Sequence, residues 1–128
     1  MSKPTAPLFD PGYVVATSAL MHELEPSSGE LAALLTAHVH GEWGDVPAQD
    51  KRENDAAVKG GSRLLSSYRL RGRKVWIITD AETDACGPCV TGAGVCEPDK
   101  GEWHGGVHFR TDLPMRRLTT TIMRPEDY

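Results

Sequence analysis

Residues 64–80 read LLSSYRLRGRKVWIITD, and this stretch predicts a β-hairpin. Two largely apolar runs, Leu64–Leu70 and Lys74–Asp80, flank Arg71-Gly72-Arg73, which is the expected short turn. Near the end of the chain, Arg116–Met123 is again rich in β-branched residues and predicts a further strand. Together these runs indicate a small antiparallel sheet.

A helix is predicted upstream of the hairpin. Ser27 and Glu30 have the spacing of a capping box, in which each side chain bonds to the other's backbone N–H. The apolar positions that follow recur at helical spacing and define one face: Leu31, Leu34, Leu35 and His38 or Val39. Gly41 is the expected stop. This helix and the strands predict a core built from Leu31, Leu34, Leu35, Val75, Ile77 and Ile122.

A second helix is predicted between Asp45, as its cap, and Gly60-Gly61. Before the first helix, Tyr13–Thr17 is a short β-branched run, and Ser18 is the expected cap of a short helical turn that ends before Pro26. The order of these elements predicts an α+β fold, with two helices packed on a small antiparallel sheet. We expect residues 1–128 to form one domain.

The charge balance and composition narrow the expected cellular location of the protein more than they narrow its class of partner. The chain has 18 acidic and 14 basic residues, a balance that argues against a nucleic-acid mimic or an obvious phosphate-binding surface. Direct nucleic-acid binding stays open, because a local patch can differ from the total. No apolar run is long enough to cross a membrane, and the N-terminus lacks the pattern of a signal peptide. We therefore expect a cytoplasmic, reducing location.

All three cysteines lie in residues 82–115, here called the Cys/His segment. Cys86 and Cys89 form a Cys-x-x-Cys pair, and Cys96, His104 and His108 follow it. Three thiolates and one imidazole are a complete tetrahedral ligand set for zinc. We predict a structural zinc site on Cys86, Cys89, Cys96 and His104, with His108 as the alternate fourth ligand. The predicted form is a zinc-knuckle-like insertion in a hairpin loop.

Two other interpretations of these thiols stay open. Reduced, unconnected cysteines are one, but a Gly/Pro-rich segment with few apolar residues needs something to order it. A redox Cys-x-x-Cys pair is the other, but such a pair usually opens a helix, and Gly92, Gly94 and Pro98 oppose one here.

A catalytic interpretation rests on residues outside the Cys/His segment. His38 and His40 end the first helix, where the simpler interpretation is that they are cations favoured by the helix dipole. Alternatively, His38, Glu42 and Arg63 could supply the base, the acid and the phosphate-binding cation of a ribonuclease-like toxin of the RelE or barnase type. Fold-level analogy alone supports that alternative, which also places Tyr68, Thr79 and Thr119–Thr121 in one cleft. Cross-strand threonine pairs explain the same residues more simply.

Several motifs, in order, resemble the uncharacterised "plasmid-related" small proteins of bacterial plasmids and integrative elements. These motifs are Leu35-x-x-His38, Gly41–Asp45, Asp50 with Asn54, Arg63–Tyr68, Trp76–Asp80 and Thr119–Tyr128. The resemblance implies a bacterial, mobile-element protein with no assigned activity. In that family the two strands around the Cys/His segment look to be joined by only a few residues, so the segment is an addition in this chain.

These observations favour binding over catalysis. We expect a small zinc-stabilised protein that contacts a protein or nucleoprotein partner, with Trp103, Phe109 and Arg110 displayed by the zinc-ordered segment. Inhibition of a host restriction or CRISPR defence system is one form of such a contact, suggested by the mobile-element setting.

Overall fold

The computed structural model describes residues 6–83, 99–104, 107–109 and 116–128. Its helices are α1 (Ser18–Leu24), α2 (Ser28–Val39) and α3 (Ala48–Gly60), and a 3₁₀ turn covers Pro125–Asp127. Its strands are β1 (Tyr13–Ala16), β2 (Leu64–Leu70), β3 (Arg73–Thr79), β4 (Glu82–Thr83), β5 (Glu102–His104), β6 (Val107–Phe109), β7 (Arg116–Arg117) and β8 (Thr119–Met123). The α+β class predicted from the sequence is confirmed.

Four strands form the main sheet, in the order β1-β8-β3-β2. The β2–β3 hairpin closes through Arg71 and Gly72, whose φ angles of 51° and 76° are those of a two-residue type I′ turn. Strand β8 pairs antiparallel with β3, with Ile122 opposite Ile77. Strand β1 pairs parallel with β8, with Val14 opposite Thr120, so the expectation of a purely antiparallel sheet is wrong at this pair. The two strands come from opposite ends of the described chain, so no hairpin turn forces them to run antiparallel.

Three helices pack beside the sheet, where two and a short helical turn were predicted. The turn is α1, and the prediction that Ser18 caps it is wrong, because the Thr17 side chain accepts from the Leu20 N–H and Ser18 is already helical. The capping box of α2 is confirmed: the Glu30 N–H donates to Ser27 Oγ over 3.1 Å and the Ser27 N–H donates to Glu30 Oε1 over 3.0 Å. The prediction that Asp45 caps α3 is wrong, because that helix begins after Pro47 without a side-chain cap. Instead, the Asp45 N–H donates to Ser67 O and its carboxylate lies 3.4 Å from Arg69 Nε.

The main core lies between the sheet and the first two helices. Its buried side chains are Leu20, Leu24, Val75, Ile77 and Ile122, and Leu31 and Leu34 pack against it. Leu35, the remaining predicted core residue, is half-buried. A second cluster joins the start of β2 to α3 and to the connection before α3, and contains Trp43, Val46, Ala57 and Leu64.

The Cys/His segment leaves and re-enters the fold through a short two-stranded stem. In this stem β4 pairs antiparallel with β7, with Glu82 opposite Arg117 and Thr83 opposite Arg116. Strands β5 and β6 form a separate small hairpin within the segment. Among the described helices, none combines the length and the apolar character that a membrane span requires.

Candidate functional site

The predicted metal ligands fall largely outside the described residues, which include none of the three cysteines. Within residues 6–83, 99–104, 107–109 and 116–128, no cluster of three or more His, Cys, Asp or Glu side chains is placed to hold a metal. The donor set itself, three thiols and an imidazole, suits zinc.

The backbone of the β5–β6 hairpin separates the two candidate histidines. Its register pairs Trp103 with His108 and His104 with Val107. Paired residues of an antiparallel ladder share a face, and neighbouring residues alternate between faces. Positions 104 and 108 therefore lie on opposite faces of this hairpin. Such a register favours one histidine as a ligand over joint ligation of one ion by both.

His38 is fully buried, at the centre of a chain of hydrogen bonds that crosses the sheet. Thr120 Oγ1 donates to the Pro11 carbonyl over 2.8 Å, so it accepts from Thr79 Oγ1, which lies 2.7 Å away. Thr79 has then donated its only hydroxyl hydrogen and must accept from His38 Nε2, also at 2.7 Å. The other ring nitrogen, Nδ1, is left to accept from the Ser66 hydroxyl.

This arrangement holds the His38 ring neutral and in one tautomer. Burial and, as a smaller cause, the positive charge of Arg117 together lower the pKa of His38 from 6.5 to about 4. The rings of Phe9 and Trp43 pack edge-on to the imidazole, with centroids 5.3 Å and 5.8 Å away. The interpretation of His38 as a helix-terminal cation is therefore wrong, because the side chain turns into the core and away from solvent.

We expect this buried histidine to make the protein acid-sensitive in a defined pH window. Because its pKa is 6.5 unfolded and about 4 folded, the unfolded chain binds the extra proton between these values. The contribution of neutral His38 to the free energy of unfolding should be fully present above pH 6.5. It should fall by about 3 kcal/mol as the pH drops to 4. Urea denaturation across this range should measure it, in a Cys89→Ser background where metal release contributes nothing.

The matched control is His38→Gln, which should lose most of this slope whatever its absolute stability. The carboxylates of Glu23 and Asp127 fall in a separate window. Hydrogen bonds from Arg124 lower the pKa of both groups, so their contribution declines only below about pH 4.5. An equal slope in the variant and the parent between pH 6.5 and pH 4.5 would contradict the assignment to His38.

The structure does not assemble the ribonuclease-like set. His38 has no exposed surface and both ring nitrogens are bonded. Glu42 is exposed, and its backbone carbonyl accepts from the Tyr68 hydroxyl. Arg63 lies on the outside with its Cζ 5.7 Å from the centre of the Tyr128 ring. His38, the predicted general base, is therefore buried in the core and cannot contact a substrate.

The threonines divide between the two faces of the sheet. Thr79 and Thr120 are both fully buried and bond to each other across β3 and β8. Thr119 and Thr121 are half-buried and, by the alternation of the strand, point to the opposite face. The cross-strand threonine interpretation is confirmed for the first pair, and the run does not line one common cleft. His40, by contrast, does act at the helix end, with Nδ1 2.7 Å from the Thr36 carbonyl.

The sequence interpretation missed Arg117, which joins the stem of the Cys/His segment to α3. The side chain is 6% exposed, and its guanidinium donates to the backbone carbonyls of Ala57, Ser62 and Asp80 at 2.6–3.0 Å. Phe9 covers it, with a 5.5 Å separation between the ring centre and Cζ. Burial lowers the pKa of Arg117 and the nearby Glu82 carboxylate opposes that shift. No sequence pattern distinguishes Arg117 from Arg116; only the tertiary fold does.

An open cleft of about 490 Å³ lies at the foot of the same segment. Its walls combine apolar and charged side chains: Leu8, Phe9, Tyr13, Val58 and Leu118 with Asp10, Glu82, Arg116 and Arg117. The cleft therefore lies between the stem of the Cys/His segment and the start of β1.

Comparisons of this chain with protein-family models, with curated proteins and with solved structures find no match.

Proposed function

We propose that this chain is a small zinc-stabilised binding protein from a bacterial mobile genetic element, working in the cytoplasm through contact with a protein or nucleoprotein partner. One observation carries the proposal. The Cys/His segment holds a full zinc ligand set and is mounted on a stem that a buried arginine ties to three backbone carbonyls. A segment ordered by a metal and rigidly mounted suits recognition, because little conformational entropy is then lost on binding.

The chemistry of the described side chains supports binding over catalysis. His38, the predicted general base, has a pKa lowered to about 4 and is enclosed in the core. In the proposed zinc site, Cys86, Cys89, Cys96 and one histidine would hold the ion. Four protein ligands close the coordination shell, so the ion would supply structural order. The mobile-element setting, from the motifs of residues 41–45, 76–80 and 119–128, suggests inhibition of a host restriction or CRISPR defence system as one form of this contact.

The metal is tested first by its stoichiometry. Protein purified without chelator should contain about one equivalent of zinc per chain, because the segment offers one four-ligand set. Elemental analysis measures the zinc, and thiol titration of the native protein should find the three cysteines protected. Metal-free protein with three reactive thiols would overturn the zinc proposal.

The fourth ligand is tested by paired substitutions. His104→Ala should weaken zinc retention by orders of magnitude, while His108→Ala, a change of the same size on the facing strand, should leave zinc bound. Positions 104 and 108 lie on opposite faces of the β5–β6 hairpin, so one histidine is expected to reach the ion. His104 is favoured because it is nearer to Cys96 in sequence and is followed by Gly105-Gly106. A competition assay with a chelator gives both affinities. The reverse ranking would assign the ligand to His108, and equal partial losses would place one histidine outside the coordination shell.

The partner is tested by affinity capture from a bacterial lysate with zinc-loaded and Cys89→Ser protein side by side. A macromolecule captured by the loaded protein and not by the variant supports recognition through the zinc-ordered segment. Capture that is the same with both proteins would contradict it. A ribonuclease assay on the same preparations checks the alternative, which expects RNA cleavage that His38→Gln abolishes.

A further inference from the structure

The two edge strands of the main sheet, β2 and β1, differ in whether their outward-facing backbone groups have hydrogen-bond partners. The β2 edge is blocked by its own chain. At Leu65, the N–H donates to Asn54 Oδ1 and the carbonyl accepts from the Asn54 amide, at 3.2 Å and 2.8 Å. At Ser67, the N–H donates to the Trp43 carbonyl and the carbonyl accepts from the Asp45 N–H. The outward-facing backbone groups at these two residues are thus satisfied internally.

The β1 edge is open within the described part of the chain. The N–H groups of Tyr13 and Thr17 donate to the Leu118 and Ile122 carbonyls of the β8 side, both at 2.9 Å. Backbone groups alternate in direction along a strand, so those of Val14 and Ala16 point away from the sheet. No described strand pairs with them.

The side chains of this edge are apolar and exposed. Tyr13, Val14 and Val15 are 65%, 41% and 48% exposed, and they cover both faces of the strand. Natural edges are usually protected by charge, proline or a covering loop, and this strand contains no charged residue and no proline. An unprotected apolar edge beside a protected one indicates a pairing surface.

The short length of β1 limits which partner strand can bind stably at this edge. Four residues span about 13 Å, so β1 pairing with β1 of a second copy would bury far less than the roughly 1,200 Å² that a stable dimer needs. A longer peptide can pair with β1 and continue past Tyr13 over the cleft of about 490 Å³, which Leu8, Gly12 and Tyr13 line. Continuation into that cleft supplies the contact area that the edge alone lacks.

We propose that β1 is a β-addition site for an extended segment of a partner protein with apolar side chains at alternate positions. Backbone hydrogen bonds to Val14 and Ala16 supply the pairing, and the exposed Tyr13 and Val15 select apolar cross-strand neighbours. The pairing groups of this surface, on Val14 and Ala16, lie outside residues 82–115 and include no predicted zinc ligand, so the two proposals fail separately.

A capped alternating threonine–valine peptide serves as the probe. In the free monomer, the amides of Val14 and Ala16 should exchange quickly with solvent and those of Tyr13 and Val15 slowly. Peptide at saturating concentration should slow the first pair. Val14→Pro removes the outward N–H of an edge strand, where proline is tolerated, and should weaken binding roughly tenfold. Val14→Thr keeps the N–H and should bind within about twofold of the parent.

A second arm leaves the protein unaltered. Peptides N-methylated only on the edge that faces β1 should lose binding, and peptides methylated only on the other edge should keep it. Slow exchange of Val14 and Ala16 in the free monomer would overturn the proposal. Protection that appears only with rising protein concentration would also overturn it, by making a second copy the occupant. Cys89→Ser should bind the probe like the parent protein, and loss of binding in that variant would contradict the independence of the two surfaces.

Discussion

Cys89→Ser is expected to reduce bound zinc from about one equivalent to background while leaving the main sheet and helices folded. One of four ligands is lost, and serine is a poor substitute for a thiolate on zinc. Hydrogen exchange should rise across residues 82–115 and stay low in the core strands that carry Val75, Ile77 and Ile122. The physical reason is that the main core is built from residues outside the Cys/His segment.

The control for this prediction is Thr91→Ser, a substitution of similar size in the same segment that removes no predicted ligand. It should keep its zinc. Global unfolding of Cys89→Ser, or of the parent on chelation, would contradict modularity and make the metal part of the core. Unchanged zinc content in Cys89→Ser would remove that residue from the ligand set.

Arg117→Met is expected to lower the free energy of unfolding by about 3–5 kcal/mol. The substitution removes the guanidinium donors of the Ser62 and Asp80 carbonyls, and each acceptor left unpaired costs about 1–3 kcal/mol. The Ala57 carbonyl also loses a bond from Arg117 but keeps the one from the Gly61 N–H. The total is a large share of the roughly 5–15 kcal/mol that stabilises a typical domain. Urea denaturation of both proteins measures the difference.

Two further variants separate this effect from loss of charge. Arg69→Met removes an exposed arginine whose salt bridge to Asp45 spans 3.4 Å, and it should cost less than about 1 kcal/mol. Arg117→Lys keeps the charge, but a single ammonium cannot reach three divergent carbonyls, so it should recover only part of the loss. The Arg117→Met change should also raise the pKa of His38, because the arginine's charge helps to hold it low. Stability equal to that of Arg69→Met would contradict the assignment of Arg117 as a structural clamp.

Local patterns predicted the elements whose causes are local. The capping box at Ser27 and Glu30 needs only residues three apart, and it forms as expected. The β2–β3 hairpin depends on a tight turn between two apolar runs, and its strands fall within one residue of the prediction. Asp45 failed as a cap because β2, far along the chain, holds its backbone and its carboxylate.

For the candidate sites too, local sequence predicted some features and tertiary contacts decided the others. The zinc ligand set follows from the residue types and their order in residues 86–108, and so the sequence by itself determined the metal hypothesis, the α+β class and the main hydrophobic positions. Only the tertiary structure decided the roles of His38 and Arg117, the parallel pairing of β1 and the contrast between the two sheet edges. Burial and hydrogen-bond partners set the charge and accessibility of a side chain. Those partners lie 28 to 60 residues away in sequence, where no local pattern records them.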